Sequence, residues 1–333
     1  MKEFNAIIAN LKKKIYHPVY FLMGEEPYFI DVISDFASNN ILDDAEKEFN
    51  LSILYGRDIN VSTIISEAKR YPMIGKYQVV IVKEAQNVKN IEELEPYLKN
   101  PLSTTILIIC HKYKSLDKRK SFGKSLGQMA VVLDTKKLRD YQVPDWINNY
   151  LANKGGSISP KAAVLMNEFL GTDLSKIANE LDKLLLNISE KTEISPAHIE
   201  KYIGISKDFN NFELQKALGN KNIFKSNQII NYFENNPKNN PLVLTISALF
   251  SYFSNILAFH YAKDKSERAV ALALKINPFF VKEYVEAAKN YDIRKTVEII
   301  GLLRMYDLKS KGVENTSAND GELLKELIFK VLH

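Results

Sequence analysis

Short blocks of consecutive apolar residues recur through the first 140 positions. Between them, apolar residues fall at three- and four-residue intervals. Val19–Met23 runs apolar up to Gly24 and predicts a buried strand, and the stretch 27–41 then sets Phe29, Ile30, Ile33, Phe36 and Ala37 at helical spacing. The alternation continues: strands over 49–55, 78–82, 104–110 and 129–134, helices over 61–70, 91–98 and 117–126. Strands that alternate with helices imply a parallel sheet covered on both faces, and strands buried on both faces can be apolar throughout.

After Thr135 the strand blocks stop. Helical periodicity covers 145–153, ending at Gly155-Gly156, and Ser159-Pro160 opens a second helix with a serine cap and proline in the first turn. Thr172 or Asp173 opens a third, through Leu186, and Ser195-Pro196 repeats the cap-plus-proline device for a fourth that ends near Gly204. From Asn211 onward every segment reads as helix: 211–219, 223–234, 241–263, 266–274, 278–290, 293–309 and 319–332. The polar break Asn235-Asn236-Pro237-Lys238-Asn239-Asn240-Pro241 separates two of these. The pattern therefore predicts an α/β domain over 1–140, a small helical domain over 141–208 and an all-helical domain over 209–333. No internal repeat is present.

Composition narrows the class. Apolar residues make up 46% and charged residues 26%, as in a folded globular chain. The net charge of +5, from 45 basic and 40 acidic residues, permits contact with nucleic acid without demanding it. Cys110 stands alone in an apolar run, so no internal disulfide forms, which suits a cytoplasmic chain. The first residues lack the apolar core of a signal peptide, and no uninterrupted run of about 18 apolar residues is present, so no membrane span is expected. His17, His111, His198, His260 and His333 pair neither with one another nor with Cys110 at metal-ligand spacing, and no metal or other cofactor is expected.

Five motifs in order resemble a known family. They are Tyr20-Phe21-Leu22-Met23-Gly24-Glu25-Glu26-Pro27-Tyr28; the segment from Pro72-Met73-Ile74-Gly75 into the strand at 78–82; Leu116-Asp117-Lys118-Arg119-Lys120; Asn179-Glu180-Leu181-Asp182-Lys183-Leu184; and Asn211 to Leu218. Together they resemble the delta subunits of bacterial DNA polymerase III clamp loaders. The resemblance implies an AAA+-like parallel-sheet domain, a helical lid and a helical collar. It also implies partners: the beta sliding clamp, ATPase subunits of the gamma/tau type, a delta-prime type subunit, and primed DNA within the complex. Catalysis of DNA synthesis would belong to the holoenzyme and not to this chain.

An AAA+ ATPase needs G-x-x-x-x-G-K-[ST] after its first strand, to turn N–H groups, a lysine and a metal-binding hydroxyl toward a triphosphate. Here the turn reads Gly24-Glu25-Glu26-Pro27-Tyr28-Phe29-Ile30: no lysine, two carboxylates, and a proline where a donor should be. The acidic residue expected after the third strand is replaced by Lys83, followed by Glu84. Gly123-Lys124-Ser125 imitates the end of the motif, but Lys118 stands where the first glycine belongs. No ATP hydrolysis is expected.

Pro72-Met73-Ile74-Gly75 places two large apolar residues in a turn, where polar residues are usual. Two readings are open: the side chains fold inward onto the sheet, or they serve a partner. The family resemblance implies that Met73 and Ile74, shaped by Pro72, enter a pocket on the clamp. The family often carries leucine and phenylalanine there, so Met-Ile is a departure. Lys112, Lys114, Lys118, Arg119 and Lys120 form a basic stretch, read either as a contact to DNA phosphates or the clamp, or as a solvated face. The rival functional classes are an active AAA+ motor and a helical DNA-binding or scaffold protein that shares only the fold.

Overall fold

The apolar blocks of the first third become strands of one sheet. The computed structural model describes residues 2–189, 192–315 and 317–333, and the chain divides into two compact units, Met1–Leu138 and Arg139–His333.

The first unit runs α1 (Lys2–Lys12), β1 (Val19–Gly24), α2 (Pro27–Asn40), α3 (Asp44–Asn50), β2 (Leu51–Tyr55), α4 (Val61–Ala68), β3 (Gln78–Lys83), α5 (Glu95–Lys99), β4 (Thr105–Lys112), α6 (Ser121–Met129) and β5 (Val131–Thr135). The strands form a five-stranded sheet in the order β2-β3-β4-β1-β5. Every pairing is parallel, with Leu22 of β1 opposite both Cys110 of β4 and Leu133 of β5. β1, β3 and β4 are buried along almost their whole length, which is why their sequences are apolar without alternation. β2 is an edge strand, with Ile53 and Tyr55 exposed.

Two helices depart from the sequence expectation. α1 is not marked by the pattern. α3 takes Phe49 and Asn50 out of the expected strand, so β2 starts at Leu51. α3 is closed by a capping box, in which Asp43 accepts from the Glu46 N–H and the Glu46 carboxylate accepts from the Asp43 N–H. The expected helix over 91–98 is a 3-10 turn at Ile91–Leu94 followed by α5. Cys110 is fully buried, and burial pushes its thiol up to about 12, the behaviour of a packing residue.

The second unit is helical: α7 (Val143–Ala152), α8 (Pro160–Leu170), α9 (Leu174–Asn187), α10 (Pro196–Ile203), α11 (Asn211–Gly219), α12 (Ile223–Asn235), α13 (Leu242–Tyr261), α14 (Glu267–Leu274), α15 (Val281–Asn290), α16 (Ile293–Ser310) and α17 (Asp320–Leu332). Ser159 and Asp173 cap α8 and α9 through their side chains, and Gly204 ends α10 at φ +85°, a left-handed position that glycine adopts without strain. Asp182 of α9 accepts from the Tyr150 hydroxyl of α7 at 2.7 Å and pairs with Lys154, just past the end of α7, at 2.6 Å.

α11, α12, α13, α15, α16 and α17 share one apolar core that includes Leu218, Phe233, Phe253, Tyr291, Leu303, Tyr306 and Leu327. Two of its polar groups are paired across the core: the Tyr291 hydroxyl donates to Leu218 O at 2.9 Å, and His260 Nε2 bonds Tyr291 O at 2.8 Å. By length and composition alone α13 is long and apolar enough to cross a membrane, which the sequence reading did not anticipate. Scattered Ser, Thr and Tyr interrupt its apolar run without lowering its average enough to matter. Its Leu242, Thr245, Ile246, Leu249, Tyr252, Phe253, Ile256 and Phe259 are buried. That 3- and 4-residue spacing is the stripe of a core helix.

α8 meets the start of α11 through Lys161 and Glu213, 2.5 Å apart. Beside this pair the Glu168 carboxylate is shut off from water, and neither oxygen makes a hydrogen bond of good geometry. Burial raises its pKa to about 7; the nearby Phe212 N–H and Asn211 side chain favour the ion without offsetting that effect, and Glu213 adds repulsion. The folded state therefore holds this proton more tightly than the unfolded chain does. The resulting destabilisation is complete above pH 7 and fades as pH falls toward the ordinary glutamate value. Glu168→Gln is expected to raise the unfolding midpoint at pH 8, by on the order of 1–3 kcal/mol of stability. The gain should shrink steadily toward pH 4.5 in thermal melts; a gain independent of pH would show that the carboxylate is not held neutral.

Candidate functional site

In open parallel sheets, ligands sit beyond the carboxyl ends of the strands, where helix N-termini offer unpaired N–H groups. In this chain that position is filled by the protein's own groups. Gly24 ends β1 at φ +130°, and a Cβ there would fall 2.2 Å from Thr135 O. Thr135 closes over the turn: its carbonyl accepts from the Glu25 N–H at 2.9 Å and its hydroxyl oxygen lies 3.3 Å from the donating Glu26 N–H. Glu26 is 3% exposed and caps α2, accepting from the Tyr28 N–H at 3.2 Å. The N–H groups that a phosphate would need are thus already bonded, one of them to a carboxylate standing where an anion would stand.

The ends of the two strands that follow β1 on one side, β4 and then β3, carry cations, each held by α2. Lys83 of β3 lies 3.2 Å from Asp35, and Lys112 of β4 lies 2.5 Å from Asp31. Burial alone would lower the Lys83 pKa, but the Asp35 carboxylate outweighs it and holds the ammonium charged above its usual range. Among the described residues no group of three or more His, Cys, Asp or Glu is placed to hold a metal. Gly123 and Lys120 line a separate groove of about 600 Å³, but Glu92, Glu93, Glu95 and Asp117 line it too, a poor setting for a triphosphate.

The second candidate is the turn between α4 and β3. Residues 71–76 have no regular secondary structure, and three apolar side chains stand out of it: Tyr71 at 71% exposure, Met73 at 67% and Ile74 at 41%. Pro72 between them is half-buried. Neither Met73 nor Ile74 folds inward onto the sheet. Gly75 takes φ +68°, and a Cβ there would meet the Glu46 carboxylate of α3.

A residue that the sequence did not single out holds this turn. Asn50, the last residue of α3, is fully buried. Its Oδ1 accepts from the Met73 N–H at 2.9 Å, and its Nδ2 donates to Ile74 O. The only sequence trace is an asparagine just ahead of a strand, with nothing to point to a partner 23 or 24 positions away.

The basic stretch is less uniform than its sequence. Lys112 is paired with Asp31, Lys118 with Asp134 at 2.7 Å, and Arg119 with Asp117 at 3.0 Å. Lys114 and Lys120 are exposed. The pairs of Lys118 and Arg119 are solvent-facing and exchange partners at little cost, whereas Lys112 is largely withdrawn from the surface.

The family model for the DNA polymerase III delta subunit matches residues 20–136. DNA polymerase III subunit delta of Bacillus subtilis (strain 168) is 29% identical to this chain over 333 residues, covering 96% of this chain and 94% of that protein. The solved structure of the Bacillus subtilis DNA clamp loader delta protein, 26% identical, matches over 99% of both chains with a TM-score of 0.55. The two likenesses span nearly the full length, and the family model covers the unit that carries both candidate sites: along its whole length the chain is similar to the DNA polymerase III delta subunits of bacterial clamp loaders.

Proposed function

We propose that this protein binds the beta sliding clamp through Met73 and Ile74 and biases the ring toward opening, so that it can be loaded onto primed DNA during replication, without hydrolysing ATP itself. The observation that carries the reading is the exposed apolar pair on a turn whose backbone is fixed by Asn50. Loop tips of large apolar side chains are costly to leave in water unless a partner covers them. If a clamp pocket buries both, each side chain contributes on the order of 1.5–3 kcal/mol, enough for a binding hot spot. Methionine is unbranched at its end and fits pockets of varied shape.

The blocked strand ends support the division of labour. With Thr135 and Glu26 occupying the N–H groups of the β1–α2 turn, and Lys83 in place of a metal-binding acid, hydrolysis falls to gamma/tau-type neighbours. On this reading residues 1–140 bind the clamp, 141–208 form a lid and 209–333 form a collar that joins the other loader subunits, a delta-prime type among them. Leu244, Phe250, Leu272 and Phe329 are exposed in the collar region and suit such contacts. Lys114, Lys118, Arg119 and Lys120 remain available to DNA phosphates or to an acidic clamp surface, and Lys112 is the weakest of the group for that task. The cytoplasm is the compartment in which this work takes place.

Replacing both tip side chains, Met73→Ala with Ile74→Ala, is expected to weaken association with the organism's own clamp by about a hundredfold or more. The unfolding midpoint should stay put, because both side chains are exposed; undiminished clamp binding in a pull-down or by surface plasmon resonance removes the tip from the mechanism. Calorimetric titration of the isolated chain with Mg-ATP should give no micromolar binding, and a phosphate-release assay no turnover. Micromolar affinity or steady turnover would move the protein into the motor class.

A further inference from the structure

We infer that Asn50 is the positioning residue of the clamp-binding tip: its buried carboxamide presets the turn in which Met73 and Ile74 face outward. The inference rests on the clamp-binding reading and names a part of the machinery which that reading does not contain.

The geometry is specific to asparagine. The side chain meets one N–H and one C=O on adjacent residues, so it needs one acceptor and one donor on the same planar group. Aspartate would keep the bond to the Met73 N–H but set an oxygen against the Ile74 carbonyl. Leucine has a similar shape and makes neither bond. Glutamine is longer by one methylene and does not fit the same space. Asn50 is also rigidly placed, because it ends α3 and immediately precedes β2, which pairs with β3 from Leu51 opposite Val79 onward.

α3 braces the tip from its other end as well. Glu46 lies against Gly75, and its carboxylate is already held by the capping box at the start of the helix. The seven residues of α3 thus touch the turn twice, at Asn50 and at Glu46. Residues 71–76 have no helix or strand of their own to order them. A segment of that kind loses conformational freedom on binding unless something has already removed it, and a prefixed turn binds more tightly for the same contacts.

The test uses the full-length chain and the organism's own sliding clamp. Asn50→Ala and Asn50→Leu are compared with the wild type in three measurements: clamp affinity, hydrogen exchange at the Met73 amide, and thermal unfolding. Clamp affinity is expected to fall about tenfold, and Met73 exchange to quicken by at least as much. The unfolding midpoint should drop by far less than a loss of fold requires. In the Met73→Ala/Ile74→Ala background, Asn50→Ala should weaken clamp binding no further, since the turn then presents nothing to position. Unchanged affinity in the Asn50 variants, while the Met73→Ala/Ile74→Ala change still abolishes binding, overturns the inference and leaves the clamp-binding reading standing. If the Met73→Ala/Ile74→Ala change has no effect either, the reading itself fails. Should the Asn50 variants not fold, hydrogen exchange on the wild type decides: a Met73 amide that exchanges as fast as that of exposed Lys76 overturns the inference, and marked protection at Met73 supports it.

Discussion

Backbone N–H groups at the carboxyl end of a central parallel strand have to find acceptors, and in this family of folds that requirement usually invites a nucleotide. Here Thr135, at the end of the strand next to β1, meets it internally, aided by the Glu26 carboxylate at the start of α2. The closure depends on glycine at position 24, where the two strand ends come too near for a side chain. The ends of β3 and β4 are tied to α2 by ion pairs, Lys83–Asp35 and Lys112–Asp31. What would be an open cradle is a set of internal ion pairs and hydrogen bonds that tie β1, β3, β4 and β5 to α2.

If, as proposed, a unit closed at that end draws no work from a triphosphate, any work it performs on a partner has to come from binding energy. On the proposed reading, the side chains that supply it stand on the loop between α4 and β3. Met73 and Ile74 gain little from the fold itself, being exposed. Rigid backing from α3 matters for the same reason: a loosely tethered apolar turn would give up much of its contact energy on being ordered.

Much of this was legible in the sequence. Continuous apolar blocks gave β1, β3 and β4, since nothing but a sheet covered on both faces tolerates such runs. Caps at Ser159-Pro160, Asp173 and Ser195-Pro196 set the starts of α8, α9 and α10 within a residue. The chemical defects at Glu25, Glu26 and Lys83 were visible as wrong residue types. Other features were not. α3 is only seven residues long, and Phe49 beside a β-rich stretch reads as strand although the Asp43/Glu46 capping pair was present. Thr135 and Asn50 act on residues 109 and 23 positions away through backbone atoms, which leave no mark on residue identity. The burial of Glu168 belongs to the same class, since a helical glutamate at that spacing is usually wet. The turn at 72–75 itself stood out as a pair of apolar side chains bounded by proline and glycine, but its outward orientation required the structure.

Asn50 grips the tip by its main chain and leaves the side chains at 73 and 74 out of the bargain. Any residue that tolerates the turn can therefore occupy those two positions without disturbing the domain beneath. On the clamp-binding reading, the two side chains can change along with the surface they meet while the scaffold stays fixed. Selection on recognition and selection on folding act, in this corner of the molecule, on different atoms.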